Sequence, residues 1–235
     1  MKVEIWSDVV CPFCYIGKRN FETALAQFEH KNNIQVEWKS FLLTPDFKTT
    51  PNQSLAQFLA ERRGISEEES KSSLNYVSQM AQQAGLNYNM DKAIPANSFN
   101  AHRFIHFAKA NGKQGEAEEQ LFQAYFTNGK NIDDFSTLIE LGKEIGLNTG
   151  DLKNALEKGS YAEDVHADIY EAQQIGVRGV PFFVFDRKQA VSGAQKSQTF
   201  LRVLEESFAQ WRKENSEPVL EVIDGQSCTT DGVCD

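Results

Sequence analysis

Hydrophobic and polar positions alternate near the N-terminus: Val3 and Ile5 are separated by polar residues in "KVEIWS", the period-two pattern of a short strand. The pattern then changes. Phe21, Leu25 and Phe28 recur at three- to four-residue spacing, which predicts a helix reaching residue 30. Pro12 suits its first turn, where a missing N–H costs nothing. Alternation returns in "IQVEWKSFLL", where Ile34, Val36 and Trp38 oppose Gln35, Glu37 and Lys39, predicting a second strand. Strand, helix, strand is a βαβ opening.

From Pro45 to about Gly176 the period stays helical. Leu74, Val77, Ala81 and Ala84 form one stripe, Ala101, Phe104, Ile105 and Ala108 another, and Phe135, Leu138 and Ile139 begin a third. Gly85, Gly112, Gly146 and Gly176 stand where helices would end. A block this long is a helical insertion, not a loop. Strand character reappears in "VPFFVFD", followed by a turn at "RKQ" and a short "AVSG", a β-hairpin pattern. Leu201, Leu204, Phe208 and Trp211 then space a closing helix. The expected division is 1–45 (βαβ), 46–175 (helical insertion), 176–214 (ββα) and 215–235, a polar, acidic, turn-rich tail.

Composition narrows the function classes. Of 235 residues, 24 are Lys or Arg and 33 are Asp or Glu, a formal net charge of -9, which argues against nucleic-acid backbone binding. No apolar run is long enough for a transmembrane helix, so no membrane partner is expected. The opening "MKVEIWSDVV" lacks the basic and apolar regions of a secretory signal, so a cytoplasmic location is expected. In a reducing compartment paired cysteines are more often catalytic or metal-binding than permanent staples.

Cys11 and Cys14 form such a pair in "SDVVCPFCYIGK", directly after the first strand and opening the first helix. Three readings apply. A zinc clip would need Cys228 and Cys234 or histidines as further ligands, and the tail spacing is looser than common zinc knuckles. A structural disulfide across two residues would remove little loop entropy. A working redox couple gains most from this position, because N–H groups and the helix dipole stabilise a thiolate, and the second thiol lies one turn along. A CxxC that opens the helix of a βαβ unit favours that third reading.

Together, "DVVCPFCYIGK" near the start and "GVRGVPFFVFD" near the end, with helices between, resemble the DsbA family of thioredoxin-fold oxidoreductases over essentially the whole chain. More narrowly the chain resembles the FrnE-like branch, which carries extra cysteines in a C-terminal extension. The resemblance implies an α/β, thioredoxin-like fold with a large all-helical insertion and an extended C-terminal tail. It makes Cys11 the attacking cysteine, Cys14 the resolving one and Pro181 a cis-proline facing them, with Val180 offering backbone to a substrate. It implies thiol–disulfide oxidoreductase or isomerase activity on protein or peptide thiols and disulfides, with glutathione a further partner. No cofactor beyond the cysteine pair and no metal is expected, and the oligomeric state is left open. Phe13 replaces the histidine of strongly oxidising members. A phenyl ring offers a thiolate neither a hydrogen bond nor charge, so reductase or isomerase behaviour is expected over pure oxidation.

The remaining candidates carry two readings each. Asp8 either caps the coming helix, the favoured reading, or relays a proton to Cys14. Phe13, Tyr15, Val180, Phe182 and Phe183 form either an apolar rim or plain strand core. Cys228 and Cys234 enclose "TTDGV", whose Asp-Gly turn would let the sulfurs meet, either as a second redox pair relaying electrons to Cys11 or as a ring that only closes the tail or forms by incidental oxidation, with transient zinc capture a further alternative. His102 and His106, four apart, have metal-binding spacing without an evident third ligand, and His102 is expected to be packing rather than catalytic. Two alternatives to disulfide exchange stand beside it. One is a glutathione-dependent isomerase or transferase of the kappa-class or 2-hydroxychromene-2-carboxylate isomerase type, which usually has serine where Cys11 stands. The other is a non-catalytic client-binding module.

Overall fold

The computed structural model describes residues 1–215. Four strands, β1 (Lys2–Ser7), β2 (Gln35–Ser40), β3 (Phe182–Phe185) and β4 (Gln189–Ser192), form one sheet in the order β2-β1-β3-β4. β1 runs parallel to β2, with Val3 opposite Val36, and antiparallel to β3, with Ile5 opposite Phe183. The parallel pair is joined by helix α1 (Pro12–Gln27), which supplies the crossover that parallel strands require. This is the expected thioredoxin-like arrangement, with the two chain ends completing one sheet. α1 ends at Gln27, not at residue 30, because a 3-10 turn at Lys31–Asn33 redirects the chain into β2.

Period-two alternation sorts the sheet's side chains. Val3, Ile5, Phe183 and Phe185 face α1 and the closing helix α9 (Ser197–Glu214), packing on Phe21, Ala24, Phe200 and Leu204 in one apolar cluster. Trp6 and Val184 face the other way, onto Ala172 of α8 (Ala162–Gln174) and Val177. The Trp6 indole N–H donates to the Asp168 carbonyl at 3.0 Å. α8 therefore lies on the sheet, although in sequence it ends the helical block. The turn before β4 uses positive φ at Asp186 and Arg187, 50° and 56°, without a glycine.

Between β2 and β3, α2 (Leu55–Arg63), α3 (Glu67–Gln83), α4 (Phe99–Ala110), α5 (Gln114–Phe126), α6 (Phe135–Glu144) and α7 (Thr149–Glu157) build a second apolar core, continuous with the first turns of α1. The predicted stripe of α4 is fully buried, and Gly85, Gly112, Gly146 and Gly176 all take positive φ at helix ends. The block also covers the exposed edge of β2. Gln114 accepts from the Trp38 N–H at 3.2 Å and donates to its carbonyl at 2.9 Å, and Asp168 accepts the Ser40 N–H at 2.9 Å. An edge strand is thereby denied to other chains.

Candidate active site

Cys11 is the N-cap of α1, in extended conformation, and Pro12 is the first helical residue. The turn before it is closed by the Cys11 N–H donating to the Asp8 carbonyl at 2.9 Å, and the Cys14 N–H donates to the Cys11 carbonyl at 3.0 Å. Both cysteines are free thiols and both are buried, Cys11 at 5% exposed and Cys14 at 0%. Burial first, then the neighbouring Cys11 sulfur, push the Cys14 thiol well above its ordinary range, against the Asp8 peptide and the Ser7 hydroxyl. Cys14 thus holds its proton, and Cys11 is the more accessible of the two sulfurs.

Val180 and Pro181 stand opposite, delivered by the segment that enters β3. The Cys11 thiol donates to the Val180 carbonyl at 3.6 Å, and the Val180–Pro181 bond is cis. Gly17, one turn beyond Cys14, makes this approach feasible: a Cβ there would lie 2.9 Å from Pro181 Cγ and 3.4 Å from Phe183. The sequence reading missed Gly17, and also Tyr88, whose hydroxyl donates to the Pro12 carbonyl at 2.7 Å and pins the start of α1. A glycine inside a strongly periodic helix was the available signal for the first. Tyr88 gave none, being 76 residues away.

A groove of about 390 Å³ opens beside Cys11, lined by Val10, Phe13, Leu43, Phe58, Val77 and Val180 among others. Phe13 and Leu43 are among the few large apolar side chains left exposed. The apolar rim therefore consists of Val10, Phe13, Leu43 and Val180. Tyr15 and Phe183, expected in it, are buried instead, Tyr15 stacked on Phe122 at 4.8 Å and Phe183 in the sheet core. Tyr15 also donates to Glu119 at 2.6 Å; Lys18 and Arg19 pair with the same carboxylate, which ties α1 to α5.

Asp8 does not cap the helix. Two residues, Val9 and Val10, separate it from Cys11, the N-cap of α1, and its side chain bonds elsewhere. Its carboxylate instead accepts from the Val10 N–H at 3.3 Å and the Leu43 N–H at 2.7 Å, completely buried. His102 of α4 brings Nε2 to 3.6 Å from Asp8 Oδ1. Its neighbour His106 turns to another carboxylate, Asp168, at 3.1 Å. The two imidazoles face separate acids. Cys228 and Cys234 lie outside the described residues.

Comparison with known proteins places the chain in a family. The DSBA-like thioredoxin domain family matches residues 2–205. The probable DsbA oxidoreductase SCO1869 of Streptomyces coelicolor is 33% identical, with all of this chain and 98% of that one covered and a TM-score of 0.83. The uncharacterized protein YwbO of Bacillus subtilis is 29% identical over 184 residues, 77% of this chain and 85% of its own. The cytosolic disulfide reductase DsbM of Pseudomonas aeruginosa, solved with GSH, has a TM-score of 0.62 at 17% identity, covering 92% of this chain and 100% of its own. At that identity the likeness is one of fold.

Proposed function

The chain belongs to the DSBA-like thioredoxin domain family, and from that premise we propose that it exchanges disulfides through Cys11 and Cys14. Cys11 attacks a client disulfide from the helix N-terminus, where the positive end of the dipole favours a thiolate. A mixed disulfide forms on Cys11 and the client's other sulfur leaves as a thiolate. Cys14, one turn along, then displaces the client from Cys11 and closes the protein disulfide. Two electrons pass from the cysteine pair to the client, and the reverse sequence oxidises a dithiol. The observation that carries this reading is the pairing of a more accessible and a fully enclosed thiol at the head of one helix, facing Val180–Pro181.

Val180 and Pro181 serve as the platform on which an extended client segment lies, and the groove beside Cys11 takes its apolar side chains. Protein thiols are the main clients in this reading, with glutathione as a small-thiol partner, as the GSH-bound DsbM structure suggests. We place the protein in the cytoplasm, in the FrnE-like branch, with Cys228 and Cys234 as a second redox pair. No helix among the described residues is long and apolar enough to cross a membrane. Reduction of insulin disulfides tests the assignment. Cys11→Ser is expected to abolish turnover while leaving client binding intact. No insulin reduction by the wild-type protein, with client binding unchanged by Cys11→Ser, would favour the client-binding module, and activity retained only with glutathione and without Cys14 would favour the isomerase or transferase type.

A further inference from the structure

Helix α2 lays one face along the groove beside Cys11. Leu55, Phe58, Leu59, Arg62 and Arg63 all belong to the lining, the i, i+3, i+4, i+7, i+8 spacing of a single stripe. The stripe is apolar at its start and cationic in its last turn, about 10 Å along the axis at about 1.5 Å per residue. Among the described residues that line the groove, Arg62 and Arg63 alone carry a basic or acidic side chain, and none is Asp or Glu. In a chain of net charge -9 this is not the default. The cleft between α1 and α5 shows the contrast, since Lys18, Arg19 and Lys113 are matched there by Glu22, Glu116, Glu119 and Glu144.

Neither arginine has a carboxylate partner among the described residues. Arg62 gives one N–H, of the five a guanidinium offers, to the Leu43 carbonyl at 3.1 Å, which holds it at the groove's rim. Basic residues in a last helical turn also complement the helix dipole, but that role requires no place on the groove face. We propose that Arg62 and Arg63 read an acidic residue on the client: the groove selects disulfide-bonded segments in which the apolar residues beside the reacting cysteine adjoin an Asp or Glu. This deepens the disulfide-exchange reading and rests on it. One volume of about 390 Å³ takes in both Cys11 and the two arginines. At about 3.3 Å per extended residue, the client acid therefore falls within a few residues of its cysteine.

The arginines act on recognition and take no part in the exchange of sulfurs. An Arg fork meets a carboxylate through two parallel N–H···O bonds. At an exposed rim one such pair is worth up to about fivefold, about 1 kcal/mol at about 1.4 kcal/mol per tenfold. Rim charges act mostly on the rate of encounter, and salt screens them. The protein's overall charge works the other way, because a net -9 attracts basic segments and repels acidic ones. A preference for acid is therefore a signature of the groove and not of the molecule as a whole.

The test uses two disulfide-cyclised peptides with the same apolar residues, differing only in a Glu-Glu or a Lys-Lys pair beside one cysteine. Each is reduced in a single turnover by excess reduced protein, followed by mass spectrometry, and each rate is divided by that with dithiothreitol to remove intrinsic reactivity. At low salt the Glu peptide is expected to react about tenfold faster, the combined effect of two exposed pairs. Arg62→Gln/Arg63→Gln should remove the advantage without slowing the Lys peptide, and Arg62→Lys/Arg63→Lys, which keeps both charges, should retain most of it. About 1 M salt should erase it in the wild-type protein. Equal rates for the two peptides, a faster Lys peptide, or an advantage that survives the Gln substitutions would overturn the proposal. Should the Gln variant slow both peptides alike, the wild-type protein decides, since an advantage unmoved by salt overturns it too. If the wild-type protein reduces neither peptide, the exchange reading fails and takes this inference with it, whereas equal reduction of both sinks the inference alone.

Discussion

His102 and His106 stand one turn apart on α4, and each meets a buried aspartate contributed by another element. Around Asp168 both carboxylate oxygens are engaged: His106 Nε2 lies at 3.1 Å, the Ser40 N–H at 2.9 Å and Lys39 Nζ at 3.0 Å, with Ser40 Oγ closing the ring on His106 at 3.1 Å. Around Asp8 the carboxylate takes the Val10 and Leu43 N–H groups, and the imidazole stops at 3.6 Å. The first pair joins α8, β2 and α4 into one frame. The second joins α4 to the turn that precedes Cys11. A closely hydrogen-bonded buried network ties its elements together more firmly than a contact that stops short of hydrogen-bond distance.

Substitutions that break the saturated pair should therefore cost stability. Asp168→Ala strands Lys39 and His106, and the expected loss is about 3 kcal/mol by denaturant unfolding, the lower end for a broken buried pair because Lys39 keeps Glu37 and Glu171. Asp168 also sets an acid limit. Burial pushes its carboxyl up, but His106, the Ser40 N–H and Lys39 outweigh this and hold it below the usual 3.8. A depressed carboxyl contributes fully above its unfolded value and is lost as pH falls through the folded one. Stability should drop below about pH 3.8, and Asp168→Asn should flatten that limb.

Glu118 predicts the opposite limb. Its carboxyl rises from 4.5 to about 8, so its folded state favours the proton; the contribution is complete below 4.5 and fades as pH climbs toward 8. Glu118→Gln should gain on the wild type by up to about 1.4 kcal/mol per pH unit across that window, read from unfolding midpoints. A constant difference would place the carboxylate in a polar setting instead. The smallest expected effect contrasts the two histidines. His106→Gln should cost about 1 to 3 kcal/mol by leaving Asp168 and Ser40 short of a partner. His102→Gln gives up no hydrogen bond from Nε2 and should cost about 1 kcal/mol or less. Equal costs would erase the distinction between the pairs.

Local pattern was enough for the frame. Alternation placed β1 and β2, the three-four spacing placed α1 and α9, and glycines marked helix ends, because each signal acts within a few residues. The cysteine pair was legible for the same reason. Asp8 was misread as a cap because a tight turn, invisible to spacing, carries its side chain toward Leu43 instead of α1. His102 and Glu118 look like ordinary helical polar residues until α4 and α5 close over the turn at residues 8–11, a relation across more than 90 residues of chain. Lys39, apparently a solvated strand residue, proves to be the cation of a buried junction.

The division of labour between the two sulfurs is tested most directly by trapping. Cys14→Ser protein mixed with a disulfide-bonded client and digested for mass spectrometry should carry the client on Cys11 as a stable mixed disulfide, and Cys11→Ser protein should carry none. Adducts on Cys14 in the Cys11→Ser protein, or none on Cys11 when Cys14 is absent, would contradict the account.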